Sequence, residues 1–332
     1  MCVDFLRRSS SPGIALPSSD NDYDYDADDD DSTMDVRHYT SFAFVGVGGF
    51  GKLIARNFLN PDSVHKISKV SIITQHPPDN YAEFDQEKAE VIGGVDYSDH
   101  DALTVALSGH EVVISTFSTM RQEGVIHQLA FIRAAKRAGI KLFVLSEFGF
   151  DISHFEPDKV PSLIRVKYQA RALAEDLALP WLGVQAGLFS TILHHPELAL
   201  DVKTRTARIL GKGDHRFPVS AESDAARFVH AVFTSGRLPP AALNNASLRT
   251  QSFYLSWTEI VKAIETKQGS SWTIEHRSEE DARAMNADGL DGDEARIGAW
   301  ILLEIEAGNV EVDDNDNARV GFQPRIAVED LF

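Results

Sequence analysis

The run VGVGGFGKL, residues 45–53, has the spacing of a phosphate-binding turn. Gly46, Gly48 and Gly51 stand at the three spaced positions of a dinucleotide fingerprint, with Gly49 extra and Phe50 between the last two. The run lies between an apolar strand pattern and a helical one. There the first glycine permits the tight turn, the second lets backbone approach a pyrophosphate, and the third lets helix and strand pack closely. The helix start then offers N–H groups and a partial positive charge to the anion.

An NAD site usually ends its second strand on an Asp or Glu that bonds the ribose 2′-hydroxyl. Here that end reads Thr74-Gln75-His76, and Asp79 lies beyond two prolines. An acid-free end leaves room for a 2′-phosphate and favours NADP(H), although the arginine that often meets that phosphate is missing too. His154 is near enough to Ser146 in the chain to reach a cleft as a donor or acid; an exposed loop histidine is the alternative. His194 and His195 are adjacent, so their side chains diverge, and no carboxylate or histidine stands at ligand spacing from them; no metal site is expected. Ser146 and Ser190 lack the G-x-S-x-G elbow of a hydrolase nucleophile.

The elements that must position these residues begin at residue 41. FAFVGV (42–47), KVSIIT (69–74), AEVIGG (89–94), EVVISTF (111–117), IKLFVLSEFG (140–149) and WLGVQAG (181–187) read as strands. Helical patterns at 52–60, 99–107, 121–139 and 161–180 separate most of them. This alternation predicts an α/β fold, a Rossmann-type doubly wound parallel sheet. After residue 188 the alternation weakens into TRTARIL, GKGD, a helix in AESDAARFVHAVF and a late helix in ARIGAWILLEIEAG. The expected organisation is an NAD(P)-binding domain over 39–187 and a smaller C-terminal α/β substrate lobe over 188–332, part of which returns to the Rossmann sheet.

Of the formal net charge of −18, residues 1–38 carry −7, with ten Asp against three Arg. DNDYDYDADDDD offers nothing to bury, so this segment is expected to be a disordered acidic tail. The acidic body argues against nucleic acid as a partner. The single cysteine, Cys2, excludes an internal disulfide and fits a reducing compartment. No apolar run is long enough for a signal peptide or a membrane span, so a cytoplasmic protein is expected. Monomer and homodimer both stay open.

GVGGFG, GGVDYSDHDALTVALSGHEVVIS and above all LSEFGFD followed by a lysine-bearing helix resemble the isoflavone reductase-like and NmrA-like group of atypical short-chain dehydrogenase/reductases. The resemblance spans roughly residues 42 to 275. It implies an NADP-binding Rossmann domain, a small C-terminal substrate domain and an active site in the cleft between them. In its reductase members a lysine on the helix after SEFG lies near the nicotinamide and serves in proton transfer or substrate positioning; Lys167 occupies that position. Ser115, Thr116 and Phe117 fall where the family lines its cofactor cleft, and Asp96 in GVDYSD matches the position neighbouring the adenine. Fungal members often serve secondary metabolism.

Two departures bear on the chemistry. Ordinary short-chain reductases use Tyr-x-x-x-Lys, but Leu163 stands four residues before Lys167. Tyr168 cannot substitute, because neighbours differ by about 100° around a helix, so it is expected to pack elsewhere. Phe150 continues the SEFG loop with an aromatic, and a pocket near Phe150, Phe155 and Phe189 would suit a flat or apolar substrate; ordinary core aromatics are the alternative reading. The expected function is NADPH-dependent hydride transfer to a C=C, C=O or C=N bond of a small metabolite, with Lys167 handling the proton. The alternative is a non-catalytic NmrA-like sensor that binds the dinucleotide and a protein partner. Such sensors commonly lack the lysine, so Lys167 favours the enzyme.

Overall fold

The computed structural model describes residues 38–60, 66–84, 89–118, 122–194, 198–286 and 294–331. The acidic tail and His195 lie outside the described residues.

Strand β1 (Ser41–Val45) is buried along its whole length. Its side chains alternate between two cores: Phe42 and Phe44 pack with Ile54 and Phe58 of α1 (Gly49–Phe58). Ala43 and Val45 face the opposite side of the sheet. Burial on both faces explains why the strands read as continuous apolar runs. Each fully buried Phe contributes about 1.5–3 kcal/mol. The strand ends at Val45 because Gly46 turns the chain with φ +69°, and the helix starts three residues earlier than the apolar pattern predicts, taking Gly49 into its first turn.

The chain continues through β2 (Lys69–Ile73), β3 (Glu90–Ile92), α2 (His100–Leu107), β4 (Val112–Ser115), α3 (Gln122–Ala138), β5 (Leu142–Val144), α4 (Ser162–Asp176) and β6 (Trp181–Gln185). Asp99 caps α2 by accepting from the N–H groups of Asp101 and Ala102. Helices α2, α3 and α4 cover one face of the sheet.

After β6 come β7 (Leu188–Phe189), α5 (Ser190–Leu193), β8 (Leu200–Asp201), β9 (Thr206–Leu210), β10 (Arg216–Ser220), α6 (Glu222–Thr234), β11 (Ala246–Arg249), β12 (Phe253–Ser256), α7 (Trp257–Gln268), β13 (Thr273–Arg277), α8 (Glu279–Asn286), α9 (Glu294–Glu306) and α10 (Asn317–Val320). Helix α6 packs with α1 on the second face of the central sheet. Strand β11 adds to the sheet edge beside β6. The remaining strands form two three-stranded sheets, β12-β10-β7 and β13-β9-β8, around Leu188, Phe217, Val219, Trp257 and Ile305.

The central sheet has seven strands in the order β11-β6-β5-β4-β1-β2-β3, and every pairing is parallel. This is the doubly wound α/β order. The direction of winding reverses between β1 and β4, and in open α/β sheets that crevice, at the carboxyl ends of the strands, is where ligands bind.

Candidate active site

The glycine turn sits at this crevice. A Cβ at Gly46 would lie 2.6 Å from the backbone N of Phe117, and one at Gly51 would lie 2.4 Å from Thr116 Oγ1. Both glycines are therefore required by the chain that leaves β4. Thr116 Oγ1 donates toward the carbonyls of Val45 (3.2 Å) and Gly46 (2.9 Å), fastening the turn to that chain. At Gly48 and Gly49 a Cβ would meet nothing within 4 Å. No side chain caps α1, and its first turn carries no acid. The start of α1 thus has open space beside Gly48 and Gly49, and a helix start with no side-chain cap and no acid suits an anion.

A cavity of about 240 Å³ adjoins the turn, lined by Gly46, Gly48, Thr74, Gln75, Tyr97 and Phe117 among others. Thr74 is buried; its hydroxyl donates toward Tyr81 Oη and accepts from the N–H of His76, so it shapes the strand end. Gln75 and His76 are exposed there. Tyr97 Oη donates to the Ile73 carbonyl (3.0 Å), and its ring packs edge-on against Phe117 and His127. Burial raises the Tyr97 phenol well above its ordinary range, so it stays protonated.

Phe117 also borders a second cavity of about 330 Å³, whose wall includes Phe50, Phe148, Phe150, Phe189, Lys167 and Trp300. Phe50, from the glycine turn, packs against Phe148 and Phe189 at centroid distances of 4.9 and 4.8 Å. Lys167 is 7% exposed. Its Nζ has no hydrogen-bond or ion-pair partner among the described residues, and lies 3.3 Å from where a Cβ would stand on Gly149. Burial pushes the Lys167 ammonium down from its ordinary range; Glu147 pulls the other way and Arg171 adds to the lowering.

The SEFG loop explains how this lysine is framed. Ser146 Oγ donates to the Phe117 carbonyl (2.7 Å) and its N–H donates to Gln128 Oε1 (2.8 Å). Gln128 Oε1 also accepts from Ser115 Oγ (2.8 Å), so one buried amide ties the ends of β4 and β5 together. Ser115 is fully buried in this network and lines neither cavity. Thr116 and Phe117 do line the larger one. Asp96 is exposed, and its carboxylate accepts from the N–H and hydroxyl of Ser98 (2.8 and 2.7 Å); it lines neither cavity, whereas its neighbour Tyr97 does.

Phe150 and Phe189 both reach the larger cavity. His154 does not: it is exposed, its Nε2 is 2.8 Å from the Asn309 carbonyl, and it borders a separate small groove with Asp151 and Arg249. Phe155 packs on Trp300 rather than lining the cavity. His194 Nε2 lies 3.4 Å from the Leu331 carbonyl, and no group of three His, Cys, Asp or Glu able to hold a metal occurs among the described residues. Tyr168 Oη donates to the carbonyls of Ile152 and Phe155 (3.0 Å to the latter), pinning the loop after SEFG. Tyr168→Phe is accordingly expected to cost about 1 kcal/mol of stability in denaturant unfolding, with kcat unchanged.

Several cavity residues carried no sequence signal of their own. Tyr97, His127 and Trp300 sit on elements whose fold was legible, but their approach to the site depends on how separate elements cross. Glu147 lay inside the SEFG motif, yet its partner Arg171 becomes visible only once α4 packs beside the loop.

A parallel doubly wound sheet, an open glycine turn at its crevice and a buried lysine beyond it define a Rossmann-type α/β protein with a candidate ligand site at the strand ends. The chain belongs to the NmrA-like family, which it matches over residues 43–296. It is similar to isoflavone reductase homolog P3 of Arabidopsis thaliana, 31% identical over 245 residues, 70% of this chain and 73% of that protein. It is 30% identical over 192 residues to the isoflavone reductase homolog A622-like of Nicotiana tabacum, covering 56% of this chain and 60% of that one. The fold superposes with a TM-score of 0.68 and 20% identity on the leucoanthocyanidin reductase–NADPH complex from Vitis vinifera, over 82% of this chain and 89% of that one. No helix among the described residues is long and apolar enough to cross a membrane.

Proposed function

We propose that this chain is an NADPH-dependent reductase of a small, largely apolar or aromatic metabolite. The observation that carries the reading is Lys167: a buried amine without a protein partner among the described residues, on the wall of an apolar cavity that shares Phe117 with the cavity at the glycine turn.

The residues present fit the dinucleotide. The uncapped start of α1, with open space at Gly48 and Gly49, would hold the pyrophosphate. Thr74, Gln75 and Tyr97 border the space for the adenosine end, and no carboxylate ends β2 to oppose a 2′-phosphate. When bound, NADPH supplies the hydride. Phe50, Phe148, Phe150 and Phe189 offer flat apolar surface on which a conjugated substrate would pack and from which water is excluded. Lys167 delivers a proton from Nζ, directly or through water, to the substrate atom that gains negative character. A lowered proton affinity makes its ammonium a stronger acid near neutral pH. The reductase names of the relatives and of the structural neighbour support this reading, as does the NADPH in the Vitis complex. The same family resemblance supports a place in secondary metabolism.

The test is NADPH binding by calorimetry together with NADPH consumption across a panel of ketones, imines and phenylpropenes. Turnover of any member supports the enzyme. Tight binding with no consumption across the panel would favour the dinucleotide-sensing regulator. The choice of dinucleotide has its own check: Gln75→Asp puts a carboxylate at the end of β2. Measured as a ratio of dissociation constants, the preference for NADPH over NADH is expected to fall at least about tenfold, or ~1.4 kcal/mol.

A further inference from the structure

Lys167 and Arg171 lie one turn apart on the same face of α4, and the Glu147 carboxylate interacts with both. Arg171 takes it. Its Nε donates to Glu147 Oε1 at 2.7 Å and its Nη2 to Oε2, a two-point pairing of fixed geometry. Gln185 Nε2 donates to Oε2 as well, at 3.2 Å. Behind the carboxylate the sheet carries Gly183, where a Cβ would stand 2.6 Å from Oε2, so the space for Glu147 is cut from the backbone of β6. The Arg171 guanidinium is held from its other side over the Trp181 ring, 5.0 Å from the centroid. Glu147 and Arg171 side chains are 2% and 12% exposed. The pair is locked in place, and Lys167 is left with no carboxylate of its own.

We propose that Arg171 is a positioning residue for Lys167: by occupying both oxygens of Glu147 it keeps the carboxylate from pairing with the lysine, and leaves the amine available to exchange a proton with the occupant of the cavity. This rests on the reductase reading for its purpose, though not for its physical content. Without Arg171, a buried lysine and a buried glutamate would be expected to pair, fixing the ammonium and weakening it as an acid. The charged and titratable groups around the lysine are few. Glu147 comes from the loop after β5, and Arg171 comes from α4. Asp151 and Tyr168 act on Arg171, and Asp151 also faces Arg249 at 3.6 Å. The glycine turn, β7 and α9 present Phe50, Leu188, Phe189, Ile297 and Trp300 to the cavity, none of which titrates.

The experiment is a pH titration of the Lys167 side chain by NMR in the full chain carrying lysine labelled with carbon-13 at Cε, the resonance being assigned by its loss in Lys167→Arg. Arg171→Gln is expected to move the midpoint to higher pH, because a cation is removed and Glu147 is released. At the wild-type midpoint, where half of the amine is neutral, that fraction is expected to fall about fivefold. Glu147→Gln is expected to move the midpoint the opposite way. If Arg171→Gln does not fold, Arg171→Lys keeps a charge but cannot hold both oxygens, and is expected to shift the midpoint in the same direction as Arg171→Gln. An unchanged midpoint, or a shift of the same sign in the Arg171 and Glu147 variants, overturns the proposal; a merely structural pair would lower stability without opposed shifts. With a turned-over substrate, the descending limb of kcat against pH is expected to follow the same order. Midpoints that move as stated in a protein that consumes no NADPH would uphold Arg171 and sink the reductase. Turnover with unmoved midpoints would do the reverse.

Discussion

Lys167→Ala is expected to lower kcat about 10²–10⁴-fold, the usual contribution of a positioned proton donor, while NADPH binds with little change in affinity. The amine does little that is favourable for the folded chain. It is 7% exposed and has no hydrogen-bond or ion-pair partner among the described residues. Burial therefore disfavours its charge, and the attraction of Glu147 offsets that only in part. A side chain retained at such a cost to stability earns its place through function. Lys167→Met, which keeps the stem and deletes the charge, is expected to match or exceed the wild type in thermal unfolding and to be as inactive as the alanine variant. Steady-state kinetics beside calorimetric NADPH binding check both halves. Undiminished turnover in a folded Lys167→Ala protein would remove the lysine from the chemistry.

Gly48→Val is expected to weaken NADPH binding at least about 100-fold, or ~2.7 kcal/mol, and to leave the fold intact. Its φ of −91° is open to any residue, and a Cβ there meets no protein atom within 4 Å. The added methyl groups would stand only where the pyrophosphate has to approach backbone N–H groups. Gly46→Ala supplies the contrast. That position has φ +69°, and its Cβ would press on the Phe117 backbone at 2.6 Å. Strain of about 1–3 kcal/mol from the backbone conformation alone is expected in denaturant unfolding, before the collision is counted. If Gly48→Val binds NADPH as the wild type does, the open space at the turn is no cradle. If Gly46→Ala is as stable as the wild type, the geometry of the crevice is wrong. Only Val47 separates the two glycines, and only the fold distinguishes the one pressed against Phe117 from the one beside open space.

The elements of the Rossmann half were legible because parallel strands buried on both faces write themselves as apolar runs. β1 is SFAFV and β4 is VVIS, both buried throughout. Strand β13, TIEHR, is mostly exposed, and its sequence shows neither a run nor an alternation to read. The returning strand β11 (ASLR) is equally quiet, since its place beside β6 comes from backbone hydrogen bonding at an edge that almost any side chains would permit. In the site, the glycine turn was visible by type and spacing, and Lys167 through the resemblance carried by LSEFGFD and the helix after it. His154 was not placed well by proximity along the chain: eight residues of loop after Ser146 carry it to the Asn309 carbonyl instead of the cavity.

By itself the sequence determined a doubly wound α/β fold, a glycine turn after the first strand, an acid-free end to the second, and a lysine on the helix after SEFG, because each is set by residues a few positions apart whose backbone geometry is local. Only the tertiary structure decided which side chains meet. It brought Phe50, Phe148, Phe150 and Phe189 around one cavity, buried Ser115 behind Gln128, turned Asp96 outward, and gave Glu147 to Arg171 rather than to Lys167. Those outcomes depend on how helices from distant parts of the chain cross the sheet, and that crossing is fixed by the packing of whole faces.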